Sequence, residues 1–116
     1  MCKECATVKV LFEAASKDKD SRFMNYYPVM SFLQAMEEQK KLILFAGDCP
    51  TKDAYETLCS EEHYTVCHYF QCPNCNTIYF CGGCIRGLPI YKVVKEILPW
   101  KMERLFWGRE GTYFQK

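Results

Sequence analysis

The segment YTVCHYFQCPNCNTIYFCGGC, residues 64–84, contains the pattern that decides the fold. Residues 64–71 and 77–80 are rich in β-branched and aromatic side chains, which favour extended strands. The CPNCN segment between them contains Pro and Asn, residues that are typical of turns. These features predict an antiparallel hairpin with Cys72 and Cys75 at its tip.

Helical patterns lie on both sides of this hairpin. Residues 4–16 and 28–40 have apolar side chains at intervals of three and four, which predicts two amphipathic helices. Pro89 begins a similar pattern that continues to Ile97, which predicts a further helix. The acidic segment 48–62 is expected to contain at most a short helix, around residues 53–59.

The expected fold is α+β in a single domain over residues 1–116. LILFA at 42–46 predicts one more strand, so the small antiparallel sheet would have about three strands with flanking helices and a Cys-rich knuckle hairpin. A chain of this length supplies one modest core rather than two. Residues 16–22, SKDKDSR, are polar without periodicity and are expected to form an exposed connection.

The composition excludes several classes of protein. Hydrophobic residues make up 49% and charged residues 25%, which is typical of globular domains and unlike disordered chains. The net charge of +1 gives no general attraction to nucleic acid or to membranes. No apolar run is long enough to span a bilayer, and the first residues do not resemble a signal peptide, so a cytoplasmic location is expected. There, the nine cysteines favour free thiols or metal ligands over disulfides.

Two Cys-x-x-Cys pairs lie in residues 72–84, and each has turn-forming residues between its cysteines. Such a turn can direct two thiolates at one ion, and zinc in structural sites takes four such ligands. The 13 residues 72–84 resemble the metal-binding part of zinc-ribbon and rubredoxin-type knuckle proteins. The resemblance implies a structural zinc site without implying an activity. Its ligands would be Cys72, Cys75, Cys81 and Cys84.

The linker NTIYF between the two pairs conflicts with one compact site. Six steps of extended chain, from Cys75 to Cys81, cover roughly 20 Å, so the linker must fold back for all four thiols to meet. If the linker stays extended, an assumed hairpin register places Cys81 opposite Val66 and Cys84 opposite His63. The arrangement then has two candidate ligand sets: His63, Cys67, Cys81 and Cys84; and Cys2, Cys5, Cys72 and Cys75. Both arrangements stay open on the sequence alone.

Enzymatic interpretations have less support. The CGGC pair follows a strand and precedes an expected helix, which is the setting of a dithiol oxidoreductase, but the intervening residues and the second pair weaken that match. Cys67 and His68 are neighbours on a strand and point to opposite faces, which is the wrong geometry for a nucleophile and its base. The sequence therefore favours a protein without enzymatic activity.

The sequence favours a small zinc-binding interaction protein that acts through a protein partner. A near-neutral domain with many aromatic residues suits such a role, because Trp and Tyr supply much of the binding energy at interfaces. Nucleic-acid binding is the alternative, since six basic residues between 86 and 109 alternate with aromatic residues. Arg86 is the residue most strongly predicted to make a functional contact, because a zinc knuckle would present the loop that contains it.

Overall fold

The computed structural model describes residues 2–3, 5–17, 26–61, 65–84 and 89–94. Over these residues the chain forms three α-helices, four β-strands and one short 3-10 helix, Thr51–Asp53. In chain order the remaining elements are α1 (Ala6–Lys17), α2 (Tyr26–Glu38), β1 (Ile43–Gly47), α3 (Ala54–Cys59), β2 (Thr65–Gln71), β3 (Ile78–Cys84) and β4 (Ile90–Val94).

The four strands form one sheet in the order β1-β2-β3-β4, and each pair of neighbours is antiparallel. The predicted α+β class is therefore confirmed, with four strands instead of about three. The predicted β2–β3 hairpin is also present. Its register differs by two positions from the assumed one, since Cys81 lies opposite His68 and Cys84 lies opposite Thr65.

The helix predicted from Pro89 to Ile97 is wrong over its described part, where residues 90–94 form β4. The apolar residues of this segment fit a helical spacing, but Ile90 is 50% exposed and Val93 is 37% exposed, so they do not form a buried helical stripe. The IYKVV sequence is rich in β-branched and aromatic residues, and pairing with β3 satisfies its backbone on one side. Residues 95–97 lie outside the described part of the chain.

The helices and one face of the sheet enclose the main core. Alternate residues of the two central strands, including Val66, Phe70 and Tyr79, point into it and are fully buried. Phe12 of α1 contacts the rings of Tyr79 and Tyr91, with ring centroids 5.9 and 5.3 Å apart respectively. This contact fixes α1 across β3 and β4. A smaller apolar cluster on the second face of the sheet includes Tyr69 and Phe80.

The CGGC segment is extended rather than turned. Gly82 and Gly83 lie within β3, opposite Cys67 and Val66, so they do not form the turn that a zinc knuckle would require there.

Other parts of the predicted organisation fall partly outside the described residues. Of the predicted exposed connection, residues 16 and 17 belong to α1, and residues 18–22 are outside the described residues. No helix within the described part of the chain is long and apolar enough to cross a membrane.

Candidate metal centre

The tip of the β2–β3 hairpin forms the first half of the centre. The amide of Cys72 donates to the carbonyl of Thr77 over 2.9 Å, and the amide of Asn76 donates to the carbonyl of Cys72 over 2.7 Å. Asn76 has a φ of 63°, a left-handed conformation that Asn tolerates better than most residues. This tight turn allows Cys72 and Cys75 to present their sulfurs together.

The start of α1 forms the second half. The amide of Val8 donates to the carbonyl of Cys5 over 3.0 Å, so Cys5 immediately precedes the first turn of the helix. Cys5 is fully buried and Cys2 is partly buried. The positive end of the α1 macrodipole lies beside Cys5, where it stabilises negative charge on nearby sulfurs.

These two halves bring four cysteine sulfurs into one cluster. The Sγ–Sγ distances are 3.8 Å for Cys2–Cys5, 3.7 Å for Cys2–Cys72 and 3.6 Å for Cys5–Cys75. All four Sγ atoms lie within 4.8 Å of one another. A tetrahedral ion with metal–sulfur bonds of about 2.3 Å would have sulfurs about 3.8 Å apart, whereas a disulfide has an S–S distance of about 2.05 Å. The spacing therefore suits four ligands of one metal ion.

Hydroxyl groups contact two of these sulfurs. The phenol of Tyr79 donates to Cys5 Sγ over 2.7 Å, and Thr77 Oγ1 lies 3.1 Å from Cys75 Sγ. When the sulfur is a thiolate it can only accept, so the threonine hydroxyl is then the donor. Thr77 directly precedes β3, and Tyr79 is the second residue of that strand. Both hydroxyls lie on the side of the sheet that α1 covers.

The surroundings shift the pKa values of the thiols in different directions. Hydrogen bonds from Thr77, first from its hydroxyl and then from its backbone, lower the pKa of Cys75 to about 5. A hydrogen bond with the Asn74 side chain lowers the pKa of Cys2. Burial raises the pKa of Cys72 to about 12. A bound divalent cation would favour the thiolate at every position, because coordination deprotonates a thiol.

The compact set of Cys72, Cys75, Cys81 and Cys84 is not brought together. Residues 78–84 stay extended as β3, which carries Cys81 away from the hairpin tip. Cys81 is fully buried in the core, where its sulfur lies 3.3 Å from Met30 Sδ. Cys84 is three residues further along the strand and therefore points to the opposite face of the sheet.

The set that combined His63, Cys67, Cys81 and Cys84 is not assembled by the described residues either. Cys67 belongs to the apolar cluster on the second face of the sheet, whereas Cys81 lies in the core on the first face. His63 and Arg86 are outside the described residues. The separation of Cys81 from Cys84 also leaves them without the paired geometry of a dithiol oxidoreductase.

Of the two arrangements that the sequence leaves open, the extended linker is the one observed, and its Cys2, Cys5, Cys72 and Cys75 set is the cluster in the structure. The signal for the N-terminal half was the Cys-x-x-Cys spacing of MCKEC. That spacing contains no information on which distant residues Cys2 and Cys5 meet. The contact is fixed by the packing of α1 on β3 and β4.

A buried pair, Cys49 and His68, was not predicted as a pair. His68 is fully buried and donates from Nε2 to the carbonyl of Cys49 over 2.8 Å, while Cys49 Sγ lies 3.6 Å from the same nitrogen. Burial lowers the pKa of His68 to about 4 and raises the pKa of Cys49. Because His68 Nε2 holds the proton that it donates to the Cys49 carbonyl, this nitrogen cannot accept the Cys49 thiol proton, so the pair is suited to packing rather than to nucleophilic catalysis.

No family model, curated protein or solved structure matches this chain.

Proposed function

We propose that this chain is a zinc-binding interaction protein in which Cys2, Cys5, Cys72 and Cys75 hold one structural zinc ion. The observation that carries the proposal is the mutual distance of the four sulfurs, all within 4.8 Å. Four soft thiolates in a tetrahedral arrangement suit zinc better than calcium, magnesium or manganese. Four protein ligands also complete the coordination of zinc, which is typical of structural sites and leaves no position for a substrate.

The role of the metal follows from what its ligands join. Cys2 and Cys72 are 70 positions apart in the chain, as are Cys5 and Cys75. One zinc ion would therefore fix the start of α1 to the tip of the β2–β3 hairpin. This would hold the two elements in one rigid unit that can present a surface to a partner.

An exposed aromatic pair supports action through a protein partner. Tyr27 of α2 and Tyr55 of α3 are 56% and 37% exposed, and their rings meet edge to face with centroids 4.8 Å apart. Tyrosine is enriched among the residues that contribute most to protein interfaces.

The basic and aromatic segment gives less support to the nucleic-acid alternative. Its Tyr91 is buried, and its Lys92 lies over the ring of Phe80, 5.4 Å from the ring centroid. Tyr91 and Lys92, the aromatic and the basic residue of that segment within its described part, thus do not form an open platform for bases.

Metal analysis of the full chain, purified without added zinc, tests the metal site. We expect about one equivalent of zinc in the wild type and in Cys81→Ser, and a strong loss of zinc in Cys72→Ser and Cys2→Ser. Cys81→Ser is the matched control because it removes a cysteine outside the cluster. Less than about half an equivalent in the wild type, with the partly buried Cys2 and Cys75 thiols freely titratable, would contradict the proposal.

A comparison of partner capture tests the interaction role. The wild type should retain a defined protein, and the Tyr27→Ala/Tyr55→Ala double variant should retain much less, while it keeps its zinc. Retention of nucleic acid that declines steeply with salt, without a protein partner, would favour the alternative class.

A further inference from the structure

Tyr79 occupies a fixed position beneath the cysteine cluster. Its side chain is fully buried, and its hydroxyl lies 2.7 Å from Cys5 Sγ and 3.2 Å from the carbonyl oxygen of Cys5. Its ring meets Phe12 of α1 nearly perpendicularly, at an interplanar angle of 87°. The ring is thus held against α1, and the hydroxyl is directed at Cys5.

Thr77 has the equivalent position for the other half of the cluster. Its hydroxyl lies 3.1 Å from Cys75 Sγ. Thr77 and Tyr79 are two positions apart, a separation that places side chains on the same side of an extended chain. One short stretch of chain therefore supplies one hydroxyl to each Cys-x-x-Cys half.

We propose that Tyr79 and Thr77 are positioning residues of the metal centre, which donate hydrogen bonds to the Cys5 and Cys75 thiolates and thereby set the affinity for the metal. This inference rests on the proposed function, because it assumes that the cluster binds a metal. A donor of this kind fixes the orientation of the ligand and stabilises part of its negative charge. Removal of such outer groups typically lowers metal affinity about 10- to 100-fold.

The test compares Tyr79→Phe and Thr77→Val with the wild type in the full chain. Tyr79→Phe removes only the oxygen and keeps the ring that packs on Phe12. Zinc affinity is measured by competition with a chromophoric chelator, and the absorption spectrum is recorded after loading with Co²⁺. We expect roughly 10- to 100-fold weaker zinc binding in Tyr79→Phe and a weakening in the same direction in Thr77→Val.

The cobalt spectrum separates positioning from general stability. A thiolate that has lost a hydrogen bond gives up an electron more readily, so the sulfur-to-cobalt charge-transfer band should move to longer wavelength in both variants. Tyr69→Phe is the matched control, because Tyr69 lies on the other face of the sheet, in the second apolar cluster. It should leave both the affinity and the spectrum unchanged.

Two results would overturn the inference while the proposed function stands. One is zinc affinity within about twofold of the wild type in both variants. The other is a loss of affinity without any change in the cobalt spectrum, since that result indicates only a weaker fold. Failure of the wild type itself to bind zinc would overturn the proposed function, and this inference with it. If Tyr79→Phe does not fold, Thr77→Val decides the question on the same two measurements.

Discussion

Gly83 is the next-to-last residue of β3, at a position where no side chain fits. A Cβ atom placed there would lie 2.8 and 2.9 Å from two ring carbons of Tyr26 and 3.1 Å from Leu58 Cδ2. Tyr26 is fully buried, and its neighbours limit how far its ring can move. The glycine is therefore required by close packing between α2, α3 and the sheet, whereas its place in a Cys-Gly-Gly-Cys motif suggested a turn.

We predict that Gly83→Ala destabilises the protein by about 1–3 kcal/mol, because an added methyl group overpacks this part of the core. Urea unfolding at constant zinc concentration measures the change. Gly82→Ala is the comparison, since its Cβ would meet the ring of Phe80 at 2.9 Å and Cys67 Sγ at an ordinary contact distance of 3.9 Å, on the more exposed face. That half-buried ring can turn aside, so Gly82→Ala should destabilise the protein less than Gly83→Ala. Equal destabilisation by the two substitutions would contradict the explanation.

At the scale of elements, α1 depends most directly on the cysteine cluster. A helix of 12 residues is marginal in isolation, and α1 gains its stability from packing and from its ends. Its C-terminal half packs on β4 through Phe12, and its N-terminus follows Cys5 directly. A metal at the cluster would therefore anchor the end of α1 that the aromatic packing does not hold.

We predict that removal of the metal by a chelator increases amide hydrogen exchange in the first turns of α1 more than in β2 and β3. The sheet strands keep their backbone pairing, whereas the start of α1 loses its attachment to the hairpin. Exchange measured by mass spectrometry before and after chelation gives the comparison, and Cys72→Ser should resemble the chelated wild type. Unchanged protection at residues 8–12, whose amides are the first to be hydrogen-bonded in α1, would show that the cluster does not anchor the helix.

At the scale of the whole molecule, the cluster joins the segment before α1 to the turn between the two central strands. The Cys2–Cys72 contact and the Cys5–Cys75 contact each close a loop of 70 positions in the chain. A metal that binds only the folded arrangement adds its binding free energy to the stability of the fold.

We predict that stability rises with free zinc, by about 4 kcal/mol at a concentration 1,000 times the dissociation constant. For a chain of this size, that gain should raise Tm by more than about 10 °C. Thermal unfolding in buffers of defined free zinc measures the dependence, and Cys72→Ser should show little of it. A Tm of the wild type that does not change with free zinc would contradict the prediction.

The local elements could be predicted from the sequence, and the long-range contacts could not. The β2–β3 hairpin and α2 follow from residue spacing and turn chemistry near each element. The β4 strand was missed because Ile90, Val93 and Val94 fit a helical spacing, and only its pairing with β3 shows the strand. The hairpin register was wrong by two positions because the six-residue turn, with Asn76 in a left-handed conformation, was not specified by its sequence.

The same difference between local and long-range information applies to the candidate site. Its two Cys-x-x-Cys half-sites could be predicted from the sequence, but their pairing could not. Cys72 and Cys75 follow from the CPNC turn, and MCKEC has the matching spacing of a second half-site. The choice of partners depends on how α1 crosses the sheet. That crossing is set by the contact of Phe12 with Tyr79 and Tyr91, residues that are far apart in the chain.

The position of the cluster before the first helix also determines how the protein would resist mechanical force. A pull applied on the N-terminal side of α1 reaches Cys2 and Cys5 before it reaches that helix, and the cluster connects them to Cys72 and Cys75 between the two central strands. With zinc bound, an unfolding motor that starts at this end must break metal–sulfur bonds before it can unravel α1. A pull applied on the C-terminal side of β4 reaches that strand before it reaches the metal. Resistance to unfolding would therefore depend on the direction of pulling, and zinc would strengthen it mainly from one end.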